Sequence, residues 1–309
     1  MNNSSSAGKT SMVGVYILSL VSVILWGMSY LWSDRLLSLG LPVEYVVFIR
    51  IFIASFLLLG YNLVRKYRIA ISKKDLPKFL LLSLFEPFIY FVAETYGIKY
   101  TESPTISALI IASTPIFSVL VGVLVFRERF SLMNMFGILI CLAGIVMVTL
   151  CTESITEGGF ILGIVLLLVA VFAEVGYASV TKYLSNDYHP AVIVMYQFFI
   201  GSVYLLPIFL TKGIANYDAS LYMSWEVWEP LLYLAVLCSC IAFALWANTI
   251  KYLGVAKSSI FLAIIPVFTA LEGWVLGQEI LTAKQWIGII ISCFGVVMSQ
   301  YVIKKRKAN

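Results

Sequence analysis

Polar residues in this chain are confined to short intervals between ten long apolar runs. The runs begin near Val13, Pro42, Leu76, Ser103, Leu132, Gly159, Pro190, Val227, Val255 and Ala283. A helix needs about 20 mostly apolar residues to cross a hydrocarbon core about 30 Å thick, and each run supplies them. Strands of a membrane barrel would instead alternate apolar and polar residues in segments about half as long. The pattern predicts an all-α integral membrane protein with ten transmembrane helices. The two longer intervals, near Arg65 to Lys74 and near Lys212 to Trp228, are too small to fold alone.

Composition agrees with the pattern. Of 309 residues, 61% are hydrophobic and 12% charged, and the mean hydropathy is +0.97, more apolar than a soluble domain can bury. The polar start, Met1 to Ser11, holds one basic residue, Lys9. The apolar run behind it is longer than a signal-peptide core and no small-residue cleavage pattern follows, so it reads as a retained first span. The five cysteines are odd in number and mostly lie inside apolar runs, where Cys behaves as a small hydrophobe. Neither a disulfide framework nor a metal site follows from them.

The net charge of +5 changes the picture through its distribution. Ten spans with both ends on one side divide the loops into two sets. One set holds 16 of the 21 basic residues: Lys9, the six from Arg65 to Lys78, Arg127, Arg129, Lys182, Lys251, Lys257 and the tail Lys304 to Lys307. The other holds Arg35, Lys99, Lys212 and Lys284. Basic loops stay on the cytoplasmic side, so both termini are expected there. Nucleic-acid binding is not implied.

The two halves repeat. Ile98, Lys99 and Tyr100 recur as Ile250, Lys251 and Tyr252, and after one deletion Pro115 pairs with Pro266, Phe117 with Phe268, Glu128 with Glu279, Gly137 with Gly288 and Gly144 with Gly295. Five spans per half is an odd number, so the second half must enter the membrane inverted. Inverted repeats are a recurring plan of secondary transporters, with the site at the repeat interface.

A charged side chain in hydrocarbon costs several kcal/mol and must face a partner or a wet cavity. Arg50 on span two and Glu86 on span three both reach the midplane, and an ion pair between them is expected. Glu86, Tyr90 and Glu94 recur every four residues, which puts them on one helical face. Glu174 shares a face with Tyr177 and Thr181 on span six, and Glu272 with Thr269 and Ile265 on span nine. These four glutamates are the candidate proton-coupling groups, because a desolvated carboxylate binds a proton near neutral pH. Pro115 and Pro266 sit mid-span at matched positions and would strand the carbonyls of Ile111 and Leu262. Cavity faces are expected from Ser22, Trp26, Ser29 and Ser33 on span one, Ser107, Thr114 and Ser118 on span four, and Gln197 with Tyr204 on span seven. Trp246 and Asn248 on span eight join them or serve as interfacial anchors. Spans five and ten, nearly apolar with Gly137, Gly144, Gly288 and Gly295, read as peripheral helices that face lipid or a second protomer in a homodimer.

The order of several short motifs resembles the EamA-like branch of the drug/metabolite transporter superfamily. The motifs are Trp26-Gly27, Gly97 to Thr101 (GIKYT), Thr114-Pro115-Ile116, Phe126 to Arg129, Gly137 and Gly144, then Ile265-Pro266-Val267, Gly277-Gln278-Glu279, Gly288 and Gly295. The resemblance covers essentially the whole chain. It implies two five-helix EamA-like repeats, a central cavity formed by spans one to four and six to nine, and export of small metabolites such as amino acids. It also implies energy from an ion gradient or exchange rather than ATP.

The segments expected are a polar cytoplasmic N-terminus at 1–12, a first repeat at 13–150, a periplasmic or extracellular linker at 151–158, a second repeat at 159–303 and a basic cytoplasmic tail at 304–309. The rivals are an intramembrane enzyme, a channel and a receptor. The only histidine, His189, falls in a loop before Pro190, no nucleophile-base cluster or P-loop is visible, and mixed buried charges do not suit a channel. The expectation is therefore not an enzyme but a cofactor-free secondary transporter of the cell inner (plasma) membrane. Its partners would be a small-molecule substrate and membrane lipid, and it would work by alternating access, coupled to protons or by exchange.

Overall fold

The computed structural model describes residues 12–118, 131–151, 159–215 and 218–299. Among these residues the regular elements are all helical. We number the apolar helices in chain order: α1 Met12–Ser38, α2 Val43–Val64, α3 Leu76–Thr101, α4 Pro104–Ser118, α5 Leu132–Leu150, α6 Phe160–Leu184, α7 Pro190–Gly213 and α8 Trp225–Leu253. Helix α9 consists of two segments, Val255–Leu262 and Ile265–Leu276, and α10 is Ala283–Ser299. Eight of them are long and apolar enough to cross a membrane, while α4 over its described residues and α10 are shorter. Together they make a multi-pass integral membrane protein. The outer faces stay apolar and exposed, with Val64, Ile161 and Ile290 among the side chains left for lipid.

Helix ends follow local chemistry. Ser103 Oγ accepts from the Ile106 N–H at 3.2 Å and Pro104 takes the first helical position of α4, where a missing N–H costs nothing. Ser131 and Asn134 cap α5 reciprocally, the Ser131 N–H donating to Asn134 Oδ1 at 2.9 Å. The junction of α8 and α9 is one glycine, Gly254, whose φ of +80° disfavours any side chain.

Packing pairs the helices in matched sets. Helix α1 packs on α9 and α4 on α6, α3 packs on α6 and α8 on α1, and α3 packs on α7 as α8 does on α2. The pairs α2 with α7 and α5 with α10 complete the scheme.

The α5–α10 pair shows where the glycines of these helices lie. The glycine faces of these helices meet each other within the chain. A Cβ on Gly295 would lie 2.3 Å from the Cys141 backbone nitrogen, and one on Gly144 would lie 2.5 Å from that of Ser292. Small residues here let two backbones touch, which is how helices associate when lipid is the solvent. Only the outer flanks, such as Leu139 and Phe294, remain exposed.

Candidate functional site

Two helices lose α-geometry where they cross the centre of the bundle. Helix α3 is broken by a kink within Leu84–Ile89, where Glu86 is extended at φ −144° and ψ 121° ahead of Pro87. Helix α8 is π-helical over Tyr233–Ala242. Such widened turns redirect side chains and release backbone acceptors, and they concentrate at functional sites. Trp26 of α1 uses one such acceptor, its indole N–H donating to the Cys238 carbonyl at 3.2 Å.

Helices α4 and α9 are interrupted at matched places, Ala112–Ser113 and Ala263–Ile264. Each break stands just ahead of the residue pair Thr114-Pro115 or Ile265-Pro266, so each proline opens a new helical segment. It takes an early position in that segment, where its missing N–H is harmless. The carbonyl of Ile111 does not lie bare, because Thr114 Oγ1 donates to it at 2.6 Å.

These irregular segments surround a central cavity. Its walls are Trp26, Ser29 and Tyr30 of α1, Arg50 of α2, Glu86, Tyr90, Phe91 and Glu94 of α3, Ile111 of α4, Glu174 of α6, Phe243 of α8, and Leu262 and Ile265 of α9. A water-sized sphere finds only ≈ 20 Å³ of room there, about one water. Arg50 is 2% exposed and Glu86 1%.

The charges form one network. Arg50 Nε donates to Ser239 Oγ of α8 at 3.1 Å, and its guanidinium carbon lies 4.2 Å from the centre of the Phe91 ring. The expected ion pair to Glu86 does not form. Among the described residues the ion pair within 4 Å is the surface pair Lys78–Asp75, at 2.7 Å. Arg50 instead acts on Glu86 and Glu94 from a longer distance. At the break Glu86 is extended, and its Oε2 is buried without a hydrogen-bond partner. Glu94 accepts from the Tyr90 phenol at 2.8 Å, and Tyr30 lies within reach of both.

Ten of the residues singled out in the sequence come together here: Trp26, Ser29, Arg50, Glu86, Tyr90, Glu94, Ile111, Glu174, Leu262 and Ile265. The others lie off the cavity wall. Ser22 donates to the Ala242 carbonyl at 3.2 Å, and Thr269 to the Gly27 carbonyl at 3.1 Å, so both join helices. Thr114, Pro115 and Pro266 are buried in the two broken helices. Tyr177 and Trp246 are buried in the next layer, Tyr177 with its ring toward Phe243 and Trp246 with its ring 5.2 Å from that of Trp26. Gln197 is fully buried, with neither amide atom hydrogen-bonded. Asn248 lines a separate opening near His189. Glu272 is half-buried against Gly27 of α1.

Tyr30, Phe91, Phe243 and Ser239 are the members that sequence reasoning missed. Tyr30 had a signal, since it follows Trp26 by four residues on the same face. Phe91, Phe243 and Ser239 had none, because an aromatic or serine in an apolar run is ordinarily packing.

At one end of the bundle the cavity is covered by a polar clasp. Glu279, between α9 and α10, accepts from Ser103 Oγ at 2.6 Å, from the Thr105 N–H at 3.2 Å and from Thr105 Oγ1. At the other end Ser19 and Thr249 share a hydrogen bond of 3.0 Å, and Lys182 Nζ donates to the Lys251 carbonyl at 2.7 Å. Glu128, the counterpart of Glu279 in the repeat, lies outside the described residues, as do Phe126 to Arg129 and the segments 1–11, 152–158 and 300–309.

Residues 13–150 and again 161–301 match the EamA-like transporter family. The chain belongs to that family. It is thus a member of the drug/metabolite transporter superfamily. Among curated relatives, this EamA-like chain is 25% identical over 300 residues to "Uncharacterized transporter YetK" of Bacillus subtilis (strain 168), covering 96% of this chain and 89% of that one. It is 26% identical over 294 residues to an uncharacterized transporter of Archaeoglobus fulgidus, covering 94% and 99%. It is 22% identical over 307 residues to the "Probable amino-acid metabolite efflux pump" of Escherichia coli (strain K12), covering 94% and 96%. One solved crystal structure shares the fold with a TM-score of 0.70 at 15% identity, over 93% of this chain and 96% of that one.

Proposed function

We propose that this EamA-like membrane transporter is a proton-linked secondary exporter of amino acids or similar small amphipathic metabolites. In this reading ten spans, arranged as two inverted repeats with both termini cytoplasmic, sit in the cell inner (plasma) membrane and alternate access to the central cavity. The observation that carries it is the cavity itself, in which a guanidinium and three carboxyls are buried between matched broken helices. Such charges have no structural use that apolar residues would not serve better. The matched packing of helix pairs supports the repeat, since exchanging the conformations of the two halves would move the opening from one face to the other.

The chemistry suits a zwitterion. Arg50 offers donors to a carboxylate, Glu94 an acceptor to an ammonium group, and Trp26, Phe91 and Phe243 an apolar wall. In this reading Glu86 or Glu174 carries the proton that substrate binding displaces or admits. The amino-acid relation of the Escherichia coli relative points the same way.

Uptake into proteoliposomes of a labelled panel of amino acids and small metabolites, with and without a pH gradient, tests the reading. Saturable, gradient-dependent uptake of one class is expected. No uptake above empty liposomes under any gradient overturns it.

A further inference from the structure

A second opening lies apart from the central cavity, at the end of the bundle that carries the basic loops. Helices α2, α7 and α8 leave about 350 Å³ between them there. Its floor is apolar, built by Leu58 of α2 and by Ile241, Ala244 and Leu245 of α8. Ile241 and Tyr61 are exposed, so the groove faces the lipid side of the bundle.

Its rim is polar and cationic. The imidazole of His189 stacks on the Tyr67 ring at 3.8 Å between centroids, and its Nδ1 accepts from the Ala191 N–H at 3.3 Å. Arg65 follows the lining residue Tyr61 by four residues at the end of α2 and Lys251 follows the lining residue Asn248 by three on α8, so both basic residues stand about one helical turn from the groove, and both act electrostatically on that imidazole. Burial, then Lys251 and Arg65, holds His189 below the ordinary histidine value. The site thus gathers positive charge beside an apolar groove.

We propose that this groove binds an anionic phospholipid of the surrounding leaflet. The phosphate sits between Arg65 and Lys251 beside His189, and an acyl chain lies along Leu58, Ile241 and Leu245. A soluble anion would gain the cations but leave the apolar floor uncovered. A zwitterionic lipid would cover the floor, but its own cation would weaken its pairing with the two basic residues. Basic pockets between spans near the membrane surface select anionic headgroups by this combination.

The test uses the full-length protein in nanodiscs of phosphatidylcholine with and without phosphatidylglycerol. Retained lipids are counted by native mass spectrometry, and His189, the chain's single histidine, is titrated by NMR. Phosphatidylglycerol is expected to be retained over phosphatidylcholine, and the double variant R65Q/K251Q to lower that preference roughly thirtyfold, as two basic residues at an anionic surface imply. The control K73Q/K74Q should leave it unchanged. The His189 midpoint should move up in phosphatidylglycerol, because a bound phosphate favours the imidazolium. Equal retention of the two lipids, an equal loss in the control, or a His189 midpoint that ignores lipid charge overturns the proposal. If the double variant does not fold, the wild-type titration in the two lipids decides alone.

Discussion

Glu86 of α3 and Glu174 of α6 line the same central cavity, and Glu86 Oε2 is buried there without a hydrogen-bond partner. They belong to different halves of the chain, so any movement of one half against the other changes their separation. The proton coupling proposed for this cavity therefore makes both carboxyls targets for substitution.

Replacing either carboxyl by Gln removes its titratable group but keeps its shape. Glu86→Gln and Glu174→Gln should therefore each lower gradient-driven accumulation by about tenfold or more, while substrate exchange at equal pH persists. Accumulation at the wild-type level in both variants would remove the pair from the coupling step.

Arg50 compensates buried carboxyls without touching them. Arg50→Ala leaves Glu86 and Glu94 without their cation and vacates the face of Phe91, and breaking such a buried charge set costs about 3–5 kcal/mol. A markedly lower melting temperature in detergent is expected, with Arg50→Lys in between. A variant as stable as the parent would show that the carboxyls do not depend on Arg50.

Gln197 is buried with both amide atoms unpartnered, a costly arrangement unless another conformation uses it. Gln197→Leu should raise stability by about 1–3 kcal/mol by removing that cost, and slow transport by closing a polar route. Unchanged turnover in a stabilised variant would mean that the amide serves no transport state.

The clasp at Glu279 holds the α3–α4 turn against the α9–α10 turn. Glu279→Ala loses several hydrogen bonds at once, each worth about 1 kcal/mol, and should speed modification of a cysteine placed at Ser29 by a membrane-impermeant reagent about fivefold. The reagent should act from the side on which the clasp lies. An unaltered labelling rate would show that the cavity is closed elsewhere.

Gly295 meets the Cys141 backbone too closely for any side chain. Gly295→Leu should cost about 1–3 kcal/mol through overpacking, read as a lower melting temperature. Leu139→Ala on the exposed flank of α5 should cost little. Equal effects from the two would contradict the α5–α10 contact.

Much of the architecture was legible because lipid imposes a simple rule: every spanning segment must be long, apolar and helical. The continuous runs and the few charges within them therefore pointed to the membrane, to the helices and to Arg50, Glu86, Glu94 and Glu174 as residues needing a wet or paired site. Helical spacing also put Trp26 and Ser29 near one another correctly. The paired prolines marked real breaks, although their effect is to open new helical segments and not to leave a bare carbonyl at Ile111.

The partners of those charges were decided by tertiary structure. Helical periodicity places Glu86 on the face of Tyr90 and Glu94, and span adjacency suggested Arg50 as its mate. The non-helical turn at Glu86 interrupts the face it would share with Tyr90 and Glu94, and the π-helical stretch of α8 brings Ser239 to Arg50. Pro87 hints at the first irregularity, because a residue before proline is pushed toward extended backbone, while the second leaves no periodic trace. The same holds for the glycines of α5 and α10: small residues announce a close helix contact, but which helix fills it depends on how the whole bundle closes. Sequence by itself determined which residues are too polar to face lipid. Only the packed bundle determined which of them face each other, because that depends on helix rotation and local unwinding set by contacts distant along the chain.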